Sequence, residues 1–259
     1  MTRLNATTSE ATARNSRKRF RQLAARLKQQ FPEIVRLDEP LAGYTNYRVG
    51  GPADALVRPR TLDQLQAIVR FCHAHQVPLF VLGKGANILV SDQGVPGVVV
   101  TLEGCCRQLR REGNHLYAGA GLLVSELVRY CEEHGLGGLD FMSGIPGTVG
   151  GALTMNAGAF VGEIGDRVVW VDAFTEAGER IRLSRDQAGF GYRRADGLKN
   201  KILLGCWLAL EPADSNQLMQ ARMNYLKRRA EKQPLEYPSC GSVFKRPKGD
   251  FAGRLIELV

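Results

Sequence analysis

Four short segments of this chain bring together residue types that can do chemistry. The first is Gly83-Lys84-Gly85-Ala86-Asn87, straight after the apolar run Pro78 to Leu82. Two glycines there permit positive φ and let backbone N–H groups approach an anion closely, which suits a pyrophosphate, and Lys84 adds charge. The segment is not a P-loop, because Gly-Lys-Ser/Thr is absent. It is not G-x-G-x-x-G either, because position 88 is Ile. By itself it reads equally well as a tight turn. The second segment runs Ser143-Gly144-Ile145-Pro146-Gly147-Thr148-Val149-Gly150-Gly151 and on to Asn156-Ala157-Gly158. Five glycines in the fifteen residues from Gly144 to Gly158, with one Asn and no charge, suggest backbone wrapped round a flat ligand whose ring edge meets main-chain amides. The third is Gly191-Tyr192-Arg193. The fourth is Lys232-Gln233-Pro234, followed by Pro238-Ser239-Cys240-Gly241-Ser242-Val243-Phe244. Taken singly, Tyr192-Arg193 reads as a surface pair and Ser242 as a turn hydroxyl.

The elements that must position these segments follow from hydrophobic spacing. Phe20, Leu23, Leu27 and Phe31 predict an amphipathic basic helix over Ser16–Phe31, closed by Pro32, with its positive face simply solvated. Residues before Ser16 read as a loose tail. Gly50-Gly51-Pro52 predicts a turn, and Ala55 to Val57 a strand. Thr61 is the expected N-cap of a helix to His75 that presents Leu62, Leu65, Ile68, Val69 and Cys72 on one face. Strands are expected at Pro78–Leu82, Ile88–Val90, Val98–Leu102 and Leu116–Ala120. A helix is expected at Val124–His134, stopped by Gly135, Gly137 and Gly138. Val168–Phe174 and Arg180–Leu183 predict a hairpin around Glu176-Ala177-Gly178. A strand over Ile202–Leu210, a linker at Pro212–Ser215, and helices at Gln217–Glu231 and Phe251–Val259 complete the reading. The chain stops inside the apolar run Leu255 to Val259 without a C-cap, and is read as cut short.

The totals exclude several classes. The chain has 259 residues and is 44% hydrophobic, enough for a sizeable core. No apolar run suits a membrane helix, and the N-terminus lacks a secretory core, so a soluble cytoplasmic protein is expected. The net charge of +9 is concentrated in Arg14–Lys28 and Arg222–Lys232. Without zinc-finger spacing or an RNA-binding aromatic motif, that charge points to a diphosphate ligand before nucleic acid. The six cysteines form no C-x-x-C and do not cluster with the four histidines. They read as reduced, mostly buried thiols, and no metal is expected.

Taken together and in this order, the four segments resemble the UDP-N-acetylenolpyruvoylglucosamine reductase (MurB) family. The resemblance runs from about Tyr44 to the last residue. It is most specific in Gly144–Ala159, in Pro238–Phe244 and in Phe251-Ala252-Gly253-Arg254-Leu255-Ile256-Glu257. The short connection from Leu210 to Lys232 is similar to the type II form. The resemblance implies an α+β fold. Residues 42–212 would be an FAD-binding domain of the vanillyl-alcohol-oxidase (PCMH) type in two subdomains. Residues 213–259 would be part of a smaller α+β substrate-binding domain, after a tail and basic helix over 1–41. It implies that NADPH reduces FAD, and that the reduced flavin converts the enolpyruvyl ether of UDP-N-acetylglucosamine to UDP-N-acetylmuramate, in a monomeric enzyme with no nucleic-acid or membrane partner.

Residue by residue, the resemblance implies that Arg193 steadies the substrate carboxylate and Ser242 donates the proton. It implies that Tyr192 and Lys232 touch the substrate, and that Gly83, Lys84, Gly85, Ala86 and Asn87 cradle the FAD pyrophosphate. Gly119, Gly121, Ser143, Gly144, Ile145, Pro146, Gly147, Thr148, Gly150, Gly151, Asn156, Ala157 and Gly158 would wall the flavin. Arg48, Gly50 and Gly51 would lead into that site. Three positions depart from the family pattern: Ala86 and Ala195 replace a usual Ser, and Arg246 a frequent Asn. The family's catalytic glutamate near the C-terminus has no counterpart before Val259. Two alternatives stay open: a flavin oxidase of the same fold, for which no His or Cys tethering motif is present, and an FAD-binding module without catalysis.

Overall fold

The computed structural model describes residues 10–231, 233 and 236–259. Along the chain the elements are α1 (Glu10–Gln30), β1 (Val35–Pro40), β2 (Pro52–Val57), α2 (Leu62–Ala74), β3 (Leu79–Val81), β4 (Val95–Val100), β5 (Leu109–Glu112), β6 (His115–Gly119) and α3 (Val124–Glu133). There follow β7 (Leu136–Gly137), α4 (Val149–Thr154), β8 (Gly158–Ala159), β9 (Gly162–Glu163), β10 (Val168–Phe174), β11 (Arg180–Ser184) and α5 (Arg185–Ala188). The last are β12 (Phe190–Gly191), β13 (Arg194–Ala195), β14 (Ile202–Ala209), β15 (Glu211–Pro212), α6 (Ser215–Ala230) and α7 (Ala252–Glu257).

Two sheets organise the chain. The first has the order β1-β2-β4-β3, antiparallel between β1 and β2 and parallel from β2 through β4 to β3. Parallel neighbours need a crossover, which α2 supplies between β2 and β3. One face of this sheet, with Ala55, Val57, Val98 and Val100, packs with Leu23 and Leu27 of α1 and with Leu65, Ile68 and Cys72 of α2. The other face, with Ala53, Leu56 and Val99, is covered by Leu41, Leu82 and Val90. Parallel sheets are buried on both faces, and these near-continuous apolar runs reflect it.

The second sheet is antiparallel, β11-β10-β14-β6-β5. Its inner row, Val171 opposite Cys206 opposite Ala118, is fully buried with α3 and α4 side chains. Its outer row sets Trp170, Trp207, Tyr117 and Arg110 side by side. Arg110 roofs the Tyr117 and Trp207 rings at 5.6 and 4.9 Å. Helix α6 lies on α3 and on the turn Asp140–Met142, and Arg222 pairs with Glu132 at 2.5 Å.

Several expectations need correction. Helix α1 begins at Glu10, so 10–15 is helical and not a loose tail. Its basic face is not merely solvated. Arg17 and Arg21 reach the buried carboxylate of Asp54 at 3.2 and 3.4 Å, and Gly97 N–H donates to the same group at 2.9 Å. Ile88–Val90 is not a strand. It is part of the irregular connection between β3 and β4, held where Val90 packs against Gly50. The stretch around Pro212 is paired, through β15, with β7. Strand β1 carries charge at three of six positions and β5 at three of four, so neither stood out as an apolar run. Inside the glycine-rich wall sits a helix, α4, capped by the Thr148 hydroxyl, which accepts from Gly151 N–H at 3.3 Å.

Candidate flavin and substrate site

The wall segment is built against the end of β6. Gly150 N–H donates to Ala120 O and Val149 N–H to Leu122 O, both at 2.8 Å, and Val124 N–H donates to Gly147 O at 3.0 Å. The loop Gly83–Asn87 arrives from the first sheet and meets this wall. A Cβ at Gly83 would lie 2.7 Å from Thr148 Oγ1, and one at Gly85 would lie 2.3 Å from Tyr44 O, where φ is also +62°. Only glycine permits both close approaches. Several of the expected contact residues also have packing or hydrogen-bonding partners within the protein. Gly50 and Gly51 serve packing against Val90 and Asp92, and Gly119 and Gly121 packing against Cys106 O and Leu102 O. Lys84 pairs with Glu103 at 3.6 Å, on a half-exposed surface. The buried Ser143 hydroxyl donates to Asp140 O. Arg48 has φ +57° and its N–H donates to Thr45 O.

Asn156 differs from its expected part. It is buried, and its amide is committed to protein partners. Nδ2 donates to Glu163 Oε2 at 2.6 Å and to Gly191 O at 3.1 Å, while Oδ1 accepts from Gly165 N–H at 2.9 Å. It therefore ties the β8–β9 hairpin to the β12–β13 turn that carries Tyr192 and Arg193, rather than presenting its side chain to a cofactor. Arg193 sits at φ +55°, and its Nη2 donates to Gly158 O at 2.9 Å. Glu163 stands 3.7 Å from its Nη1. With five N–H donors, the guanidinium keeps several for a ligand. The non-glycine residues Asn156, Phe160 and Arg193 all have positive φ. Such strain costs about 1–3 kcal/mol per residue and concentrates at functional sites.

The segment with Ser242 is anchored at two points. The buried Cys240 thiol lies 3.4 Å from Gly85 O and 3.3 Å from Ile88 O. Farther on, Arg246 N–H donates to Tyr192 Oη at 3.4 Å. Ser242 thus lies on a stretch that runs from the Gly83–Asn87 loop to the Tyr192–Arg193 turn. This contact also gives Cys240 a structural role. Lys232 lies outside the described residues.

Arg229 and Glu163 were not anticipated. Arg229, at the end of α6, lies over Gly144, whose missing Cβ would be 2.7 Å from Arg229 Cδ and 3.3 Å from Nε. Among the described residues its Nε is buried without a hydrogen-bond partner. Burial also pulls the guanidinium below its ordinary pKa. A buried, unpaired donor costs about 1–3 kcal/mol. The basic run Arg222–Lys232 was the sequence signal for it, but nothing in that run separates Arg229 from its exposed neighbour Arg228. The hairpin tip closes the same side: Phe160 packs on Tyr225 at 4.7 Å, under Arg228.

Residues 53–184 match the FAD binding domain family. A UDP-N-acetylenolpyruvoylglucosamine reductase of Listeria innocua is 42% identical over 234 residues, covering 89% of this chain and 78% of that protein. The chain belongs to the UDP-N-acetylenolpyruvoylglucosamine reductase family. A solved reductase of this family, from Thermus caldophilus, superposes with a TM-score of 0.74 at 32% identity, over 86% of this chain and 78% of that one. A 6-hydroxy-D-nicotine oxidase from Arthrobacter nicotinovorans shares the fold alone, with a TM-score of 0.57 at 20% identity, over 69% of this chain and 42% of that one. The α+β architecture expected of a reductase of this family, with its FAD-binding part, is the one observed.

The residues present fit a flavin dinucleotide. Gly83 and Gly85 let the loop press directly on Thr148 and Tyr44, where any Cβ would collide, so its backbone is fixed beside the wall, and among the described residues Arg229 Nε lacks an acceptor. The wall at Gly144–Gly151 offers backbone with one cation, Arg229, over Gly144. Among the described residues no group of three or more His, Cys, Asp or Glu could hold a metal ion, and no helix is long and apolar enough to cross a membrane.

Proposed function

We propose that this chain reduces the enolpyruvyl ether of UDP-N-acetylglucosamine to UDP-N-acetylmuramate, using FAD and NADPH. The observation that carries the reading is the fixed Arg193 guanidinium, braced by Gly158 O and Glu163, next to the turn that Asn156 ties to the glycine-rich wall. FAD, when bound, supplies the hydride that saturates the double bond. It would be held by the Gly83–Asn87 loop at its pyrophosphate and by Gly144–Gly151 and Arg229 at its ring system.

The chain's own residues do the rest. Negative charge grows on the substrate carboxylate as the double bond is reduced. Arg193, with a planar fork suited to a carboxylate, stabilises charge that develops only in the transition state. Because its backbone is set, one of its donors is held by Gly158 O and Glu163 pairs with it before substrate arrives, little reorganisation is needed at that moment. Ser242 holds the proton for the adjacent carbon. A serine is a weak acid in water, but a close, oriented hydroxyl suffices for a strongly basic carbon centre. Tyr192, about half exposed, offers a surface to the sugar, and Lys232 a point charge to the diphosphate. Residues 42–212 hold the cofactor in this reading, and 213–259 contribute the Ser242 side of the cleft. The protein acts as a cytoplasmic monomer without a nucleic-acid or membrane partner.

The test is reconstitution with FAD, followed by NADPH oxidation with and without the enolpyruvyl substrate. Flavin absorbance after desalting and substrate-dependent turnover are expected. A folded protein that takes up no FAD would overturn the reading. Ser242→Ala should leave flavin reduction by NADPH within about twofold and slow product formation by about 100-fold or more, the usual scale of a lost proton donor. Equal loss in both half-reactions would remove Ser242 from that role.

A further inference from the structure

Cys105 and Cys106 take no part in the chemistry above. They lie in the turn after β4, where both backbone N–H groups donate to Leu102 O, at 3.2 and 2.9 Å. That shared acceptor folds the turn tightly and brings the two Sγ atoms to 3.5 Å. Cys106 is fully buried, whereas Cys105 is only half-buried. The hydrogen bond from the Cys106 thiol lowers the pKa of Cys105, and the same contact with burial raises that of Cys106. The outer sulfur is thus the nucleophile and the inner one stays protonated. The backbone here is also braced. Gly121 N–H donates to Cys106 O at 2.7 Å, and a Cβ at Gly119 would lie 2.4 Å from that oxygen.

We propose that Cys105–Cys106 is an oxidant modification site, which hydrogen peroxide converts to a disulfide between neighbouring residues. The Cys105 thiolate attacks one peroxide oxygen, the O–O bond breaks, and the departing hydroxide takes a proton to leave as water. Cys105 is then a sulfenic acid. The Cys106 sulfur attacks it, the S–O bond breaks, and the departing hydroxide takes the Cys106 proton as a second water. Two thiols and one peroxide become one disulfide and two waters. Two electrons pass from sulfur to oxygen.

The geometry sets the bond's character. The sulfurs must close to about 2.05 Å, while the Cα atoms of adjacent residues stay about 3.8 Å apart, below the usual disulfide range. The ring is strained, so the bond is easily reduced and the modification is reversible by thiols. Closing it pulls on the Cys106 carbonyl that accepts from Gly121, and so on the strand end against which Gly150 is hydrogen-bonded.

The experiment treats the full chain with hydrogen peroxide, alkylates remaining thiols, and maps peptides without reduction. The expected product has lost two hydrogen atoms, with Cys105 and Cys106 both protected and both released by dithiothreitol. Cys106→Ser should stop at a sulfenic acid trapped by dimedone, and Cys105→Ser should lose the reaction at this site, with far-UV circular dichroism unchanged in both. Hydrogen exchange at the Gly119–Gly121 amides should quicken at least several-fold in the oxidised form. Full alkylation of both thiols after peroxide, or direct overoxidation of Cys105 without a disulfide, would overturn the site. Unchanged exchange at those amides would overturn its coupling to the strand end. Neither readout needs FAD or turnover, so failure here is distinguishable from failure of the proposed reductase activity.

Discussion

A single buried amide does much of the positioning at this site. Asn156 makes three hydrogen bonds, and its φ of +40° is one that Asn tolerates better than most residues. Asn156→Ala leaves Gly165 N–H, Gly191 O and the Glu163 carboxylate each short of a partner. A loss of about 2–3 kcal/mol is expected, measured by urea denaturation. Because Arg193 leans on Glu163, kcat should fall with KM for the enolpyruvyl substrate little changed. Arg229 makes the opposite case. Arg229→Met removes a buried donor that has no partner among the described residues, while keeping much of the apolar stem over Gly144. The FAD-free protein should be as stable as wild type or more so, while FAD binding weakens about tenfold, the scale of one hydrogen bond to a charged group. Equal FAD affinity in a titration would show that this guanidinium does not meet the cofactor.

At the scale of elements, α1 is held to the first sheet by a charge as well as by its apolar face. The Asp54 side chain is inaccessible to solvent, and it satisfies Arg17, Arg21 and the Gly97 N–H. Asp54→Ala would release two arginines and strip the Gly97 N–H, inside β4, of its acceptor. Breaking a buried pair from one side costs about 3–5 kcal/mol. A value near the lower end is expected, because both arginines are partly exposed and can regain water. Arg17→Ala alone should cost less, since Arg21 still faces Asp54. Comparing denaturant midpoints of the three proteins would check the order. Glycine at Gly94 is needed for a related reason: φ is +77° and a Cβ would lie 1.8 Å from Pro52 O, where the loop after Asn87 rejoins the sheet.

For the whole molecule, the buried thiols set an alkaline limit. Burial pushes Cys72 and Cys131 up to about 12 from an ordinary value of 9.0. Below pH 9 both native and unfolded thiols are protonated, and their contribution to stability is complete. Between pH 9 and about 12 the unfolded chain releases these protons first, so stability falls as pH rises. At pH 10.5 each such thiol is expected to cost on the order of 2 kcal/mol relative to pH 8. Urea midpoints at the two pH values should differ less in Cys72→Ala or Cys131→Ala than in wild type. An unchanged slope in both variants would shift the cause to other groups, such as Tyr117, which burial also holds above its ordinary value.

Hydrophobic spacing and glycine density were enough to read α2, α3, most of α1, the β10–β11 hairpin and β14, because each has a periodic apolar face or a turn that only certain residues make. The glycine-rich wall was legible as a segment because glycine density is written along the chain, whereas Tyr192–Arg193 by itself read as a surface pair and gained a role only through the family resemblance. What fills the space between them was not. A sequence does not say that Gly50 and Gly119 are small for packing, that the Asn156 amide is spent inside the protein, or that Arg229 and not Arg228 is desolvated. Nor does it say that two arginines of a basic helix answer one buried carboxylate. Those outcomes depend on which atoms long-range packing brings within about 3 Å, and only there does burial make a hydrogen bond, or its absence, decisive.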